Sequence, residues 1–149
     1  MNIQIAVILI NITLLFGCSS TKPLLGINEG KLAPCPSTPN CLSSQVNDDD
    51  THQIESIVYS GTLSEAHTAL VQILASEDNA KTIESESNYI HVEYTSTFFQ
   101  FVDDVEFYLV KERPDKTQIH IRSASRIGRS DFGVNRTRIE RIRGKFNSL

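Results

Sequence analysis

The chain has no tryptophan, one methionine and three cysteines in 149 residues, and only 7% of it is aromatic. Its Arg-rich C-terminal part lacks an interleaved aromatic platform on which bases could stack, and the formal charge of −4 gives no overall attraction to nucleic acid. No nucleic-acid partner is therefore expected. Long apolar runs are also missing. The most extended, Ile3 to Phe16, is interrupted by Gln4, Asn11 and Thr13 and falls short of the roughly 20 residues of a membrane span. No Cys-x-x-Cys pair and no tight His/Cys spacing is present, so neither a reactive dithiol nor a metal site is indicated, and no cofactor is expected. No internal repeat and no recognisable catalytic signature occurs.

What is present begins with an address. The Ile3–Phe16 run suits the core of a signal peptide, and Leu15-Phe16-Gly17-Cys18 follows it, with a small residue before a thiol that can take a diacylglycerol. Residues 1–17 read as a signal peptide and Cys18 as the lipidation site, although Phe16 is bulky and Met1 to Gln4 carry no Lys or Arg. Ser19 and Ser20 follow the cysteine with no Asp, a pattern similar to that of Gram-negative lipoproteins sorted to the outer membrane. Several acyl chains such as palmitate would anchor the mature protein stably. The expected location is the bacterial cell envelope, on the outer membrane facing the periplasm, with the membrane as partner through Cys18.

Once Cys18 is acylated an even pair remains, Cys35 and Cys41, and an oxidising compartment favours a structural disulfide between them. The chain then divides into a tether over 18–30, a disulfide loop and acidic linker over 31–50, and one α+β domain over 51–149.

Within that domain Ile54 to Tyr59 reads as a strand. Ser64 reads as the N-cap of a helix carrying Ala66, Leu70, Ile73 and Leu74 on one face and ending near residues 76–79. Ala80 to Glu86 reads as a further strand. Ile90, Val92 and Tyr94, then Val105, Phe107 and Leu109, then Ile119 and Ile121 alternate with polar residues, and Arg113-Pro114-Asp115-Lys116 supplies a turn. The expected fold is an antiparallel sheet of four to five strands, with one helix before the main strands and one C-terminal helix after them. Pairing the last two strands so that residue numbers sum to about 228 sets Tyr108 opposite His120 and Glu106 opposite Arg122. Continuing that parity places Glu93 beside Glu106 and His91 beside Tyr108. The polar face so formed is read as solvated; it is the nearest thing to an acid–base constellation, and the alternative to a binding module is a hydrolase-like enzyme that uses this face or the Asp/Arg cluster.

Charge is unevenly distributed. Arg122 to Leu149 holds eight basic residues against two acidic, about +6, while the remainder holds six against sixteen, about −10. Asn135 reads as the N-cap of a terminal helix with Ile139, Ile142 and Phe146 as its apolar stripe, which puts Arg136 and Arg138 near the positive end of the helix dipole. An anion should relieve them. Either Asp103, Asp104, Glu106 or Asp131 pairs with Arg122, Arg126, Arg136 or Arg138 in an internal network, or the arginines and a glycine-rich nest clamp an external anion.

Pro-Cys-Pro-Ser and Pro-Asn-Cys within Leu32 to Gln45, Phe101-Val102-Asp103-Asp104-Val105-Glu106-Phe107, Arg122-Ser123-Ala124-Ser125-Arg126 and Gly133-Val134-Asn135-Arg136 together form a distinctive set. In these the chain resembles the uncharacterised family known as domain of unknown function 1499, over nearly all of residues 31 to 147. The resemblance implies a small, often exported or membrane-associated bacterial protein, and no activity. The expected role is a non-enzymatic envelope module that binds an anionic small molecule or an envelope protein through its Arg-rich segment.

Overall fold

The computed structural model describes residues 23–47 and 49–149; the signal peptide, Cys18 and the first part of the expected tether, 18–22, lie outside the described residues. Six strands and two helices follow in the order β1 (Cys41–Ser43), β2 (Ile57–Tyr59), α1 (Leu63–Ala75), β3 (Ala80–Glu86), β4 (Tyr89–Thr95), β5 (Val102–Arg113), β6 (Lys116–Ser125) and α2 (Val134–Phe146). They form one antiparallel sheet ordered β1-β6-β5-β4-β3, and β2 pairs with the other half of β6. The α+β class and both helix positions agree with the sequence reading. The additional strand is β1, which lies in the segment read as disulfide loop and linker.

Local chemistry sets the helix starts, and both differ from expectation. α1 is capped two residues before Ser64, by Thr62, because Thr62 and Glu65 close a reciprocal box: Glu65 N–H donates to Thr62 Oγ1 at 3.3 Å and Thr62 N–H to Glu65 Oε2 at 2.8 Å. Asn135 does not cap α2. The cap is Gly133, in the left-handed region at φ 81°, and Asn135 is buried inside the first turn. As the periodicity predicts, α1 buries Ala66, Leu70, Ile73 and Leu74, and α2 buries Ile139, Ile142 and Phe146. These pack on Ile90, Val92, Val105, Phe107, Leu109, Ile119 and Ile121, and each large side chain so buried contributes about 1.5–3 kcal/mol before entropy is counted.

The β5–β6 register is the one derived from the turn, with Tyr108 opposite His120 and Glu106 opposite Arg122. The β4–β5 register is shifted by two residues: His91 lies opposite Glu106, and Glu93 opposite Asp104. Parity is preserved, so every side chain keeps its face, but the polar rows are recomposed.

The polar face is not solvated. Residues 23–34 pass across it as an arm. Gly26 N–H donates to Glu106 Oε1 at 2.7 Å, Leu32 N–H donates to Gln45 Oε1 at 2.8 Å, and Leu32 itself is buried. Gly26 has φ +95°, a conformation that a side chain would strain at this point of approach. The Cys35–Cys41 disulfide is formed, with 5.6 Å between Cα atoms, and closes the turn that leads from the arm into β1.

Candidate functional site

The candidate residues belong to two faces of one sheet. Asp103 and Asp104 are neighbours in β5, and strand alternation sends them to opposite sides. Asp103 faces the helices, where it accepts from Arg138 Nη2 at 2.7 Å. Arg138 Nη1 donates to Asn135 Oδ1 at 2.6 Å, and its guanidinium lies 4.4 Å from the centre of the Tyr94 ring. Asn135 completes that cluster: its Oδ1 accepts from Ser123 Oγ at 2.5 Å, and its Nδ2 donates to Asn40 O at 3.3 Å and Ser125 Oγ at 3.2 Å.

Asp104, Glu106, Arg122 and Arg126 meet on the arm side. Arg126 donates to both Asp104 oxygens, from Nε at 2.8 Å and Nη2 at 2.7 Å, and Nη2 also reaches Glu93. His91 Nε2 donates to Asp104 Oδ1 at 2.8 Å. Burial alone would raise the Asp104 carboxyl, but the hydrogen bonds and charges of Arg126 and His91 override it and bring it down to about 2. The same contacts hold Arg126 above its ordinary range. Glu106, fully buried, accepts from Tyr89 Oη at 2.8 Å and from Arg122 Nη1 at 3.1 Å. Burial first, and the Glu106 charge second, push the Tyr89 phenol well up, so it stays a donor.

Asp131 and Arg136 join neither cluster. The Asp131 carboxylate caps α2 itself, accepting from Gly133 N–H at 3.2 Å and Asn135 N–H at 2.9 Å, so the anion at that helix start belongs to the chain. Arg136 donates to the Gln53 carbonyl at 2.9 Å. The glycine-rich nest is thus filled from within, and three acid–arginine pairs of the predicted kind form: Asp103–Arg138, Asp104–Arg126 and Glu106–Arg122.

One group in this network is incompletely paired. Arg122 makes a single hydrogen bond, to Glu106, and its Nε is buried with no partner among the described residues. Its side chain is 7% exposed. It lines a cleft of about 410 Å³ between the sheet and the disulfide turn, whose opposite wall is Pro23, Leu24, Pro34, Cys35 and Pro36. Arg126 and Asp104 share the sheet side, where Arg126 is paired with Asp104 and Glu93 and Arg122 with Glu106. A planar anion fits such a lining, because a guanidinium offers paired N–H donors to two oxygens.

The polar rows considered for acid–base chemistry are recomposed. His91 is paired with Asp104, whereas His120 lies in another row, its Nδ1 3.4 Å from Ser44 Oγ. Ser44 Oγ already accepts from Ile121 N–H at 2.8 Å, burial pushes the His120 imidazole down, and no carboxylate is ion-paired with it among the described residues. The Ser44–His120 contact ties the end of β1 to β6. Among the described residues no group of three His, Cys, Asp or Glu side chains is placed to hold a metal ion.

Sequence reasoning missed His91 as partner of Asp104, Tyr89 as partner of Glu106, and the entire arm wall of the cleft. The first two follow from the two-residue register shift. The arm had no periodicity to reveal it.

Fold and site together define a disulfide-tied α+β domain whose polar sheet face is roofed by its own N-terminal arm. The family model described as protein of unknown function (DUF1499) matches residues 31–146, and the chain belongs to that family. No curated protein matches it.

Proposed function

We propose that the protein is an envelope lipoprotein, anchored through Cys18 to the outer membrane and facing the periplasm, that binds a small anionic ligand in the cleft between its arm and β5–β6. The observation that carries this reading is the cleft itself, which two arginines, Arg122 and Arg126, line on its sheet side. A carboxylate or phosphate oxygen in the cleft would gain charge-assisted hydrogen bonds from Arg126, whose side chain is 33% exposed. The anchor reading rests on Leu15 to Cys18 and on the Cys35–Cys41 disulfide, a bond that belongs to oxidising compartments. No helix among the described residues is long and apolar enough to cross a membrane.

Purification of the full chain from membranes in mild detergent, followed by native mass spectrometry, tests both parts. The mass of the N-terminal peptide reports acylation of Cys18, and a retained small anion that is absent from Arg122→Gln reports the site. An acylated protein that carries nothing, and that gains no thermal stability from added phosphate or citrate, overturns the binding part. An unmodified Cys18 in the mature protein overturns the anchor.

A further inference from the structure

Three segments converge on one end of the sheet. The β4–β5 connection, Ser96 to Phe101, leaves the sheet beyond the Thr95–Val102 pair. The β6–α2 connection leaves beside it, because Arg126 N–H donates to Val102 O at 3.0 Å. The disulfide turn ends at Cys41, opposite Ala124, at the same end.

The two connections expose large apolar side chains. Phe98, Phe99 and Phe101 are 92%, 74% and 47% exposed, and Phe132 and Ile127 are 95% and 55% exposed. Ser96 to Phe101 contains no charged residue, and Phe99 and Phe101 stack 5.3 Å apart. Phe132 sits at φ 53°, a left-handed conformation that is strained for an aromatic residue. Ser130 Oγ holds it there by accepting Phe132 N–H, and Asp131 does so by accepting Gly133 N–H. In this turn the Phe132 ring stands in water. Arg129, exposed between Ile127 and Phe132, adds a cation to the same rim.

Chain length identifies what covers this end. The described residues start at Pro23, which lines the cleft together with Ser125 and Arg126 from this end of β6, and Leu24 beside it is 75% exposed. Only four residues separate Pro23 from Cys18. Fully extended, those five steps reach about 18 Å.

We propose that this end of the domain docks on the bilayer, with Phe98, Phe99 and Phe132 entering the headgroup–acyl boundary and Arg129 meeting lipid phosphates. The inference rests on the anchor reading, since a lipid on Cys18 keeps this face within one short tether of the surface. Apolar loop tips rimmed by a cation are the composition that interfacial binding uses. Docking would set the cleft mouth, on the same side of the disulfide turn, close to the membrane surface.

The absence of tryptophan makes the test direct. Phe98→Trp, Phe132→Trp and, at the opposite half of the sheet, Val58→Trp each give the full chain one reporter. They are reconstituted in phosphatidylethanolamine–phosphatidylglycerol vesicles with and without brominated acyl chains. Phe98→Trp and Phe132→Trp should shift to shorter emission wavelength and lose intensity with brominated lipid, while Val58→Trp should do neither. Unquenched, water-like emission at both tips overturns the proposal, and so does a blue shift without bromolipid quenching, which would mean that a protein or a second copy covers the tips. The N-terminal peptide mass from the same samples judges the anchor separately. If Cys18 carries no acyl group the anchor reading falls, and quenching on added vesicles still decides whether this face is the docking face.

Discussion

Arg126 lies flat against Asp104, its Nε and Nη2 donating to the two carboxylate oxygens at 2.8 and 2.7 Å, while Asp104 keeps a side-chain exposure of only 2%. Two parallel bonds to a buried carboxylate form the strongest ionic contact on the arm face. Asp104→Asn leaves Arg126 and His91 facing a neutral amide, and it should lower unfolding free energy at pH 7 by about 3 kcal/mol. Urea denaturation measures this directly.

The pH dependence has a defined sign. Asp104 is held at about 2, below its ordinary 3.8, so the folded state binds its proton less readily than the unfolded state. The stability it contributes is present above about pH 4 and is lost as pH falls through 2. That amounts to about 2 kcal/mol. The wild-type chain should show this acid limb in urea midpoints, and Asp104→Asn should show a shallower one.

How much of this was readable in advance differs from element to element. The β5–β6 hairpin was legible in its central pairs, because Arg113 to Lys116 is a recognisable turn and the flanking strands alternate, but not in the irregularity between Lys111 and Arg113. The β4–β5 pairing was legible in parity only. Its connection is a six-residue loop with Gln100 at φ 54°, and loop length, which fixes register, is not marked by any turn signature in the sequence. Composition announced that a basic tail would meet an acidic body, yet not that Asp103 and Asp104 would serve different faces with different arginines. The arm was illegible because its seat is made by backbone groups. Gly26 contributes an N–H that every residue except proline possesses.

Asn135 joins the disulfide turn, β6 and α2 through four hydrogen bonds while fully buried. Asn135→Ala strands Ser123 and Arg138 and should destabilise the protein by about 3 kcal/mol. Double-mutant cycles with Ser123→Ala should be strongly non-additive, because the two side chains share one bond.

Removing the disulfide in the double variant Cys35→Ser, Cys41→Ser should cost about 2 kcal/mol, the chain-entropy value for so short a loop. Because Cys35 lines the cleft, the same variant should also weaken retention of any anion found in the native protein. Calorimetry of the wild-type chain with reductant should reproduce the stability loss.

Thr62→Ala should cost about 1 kcal/mol by opening the α1 capping box. Combined with Glu65→Ala it should cost less than the sum of the two single changes, since each residue caps the other. Thermal unfolding by circular dichroism separates these outcomes.

The bond from Gly26 to Glu106 joins residues 80 positions apart in the chain. Its seat does not exist until β5 and β6 have paired and Arg122 has met Glu106. Contacts of such separation bear the largest loop-closure cost and form after local hairpins. In order of assembly, then, the stretch that precedes the rest of this domain in the chain takes its place only after the hairpin that forms its seat.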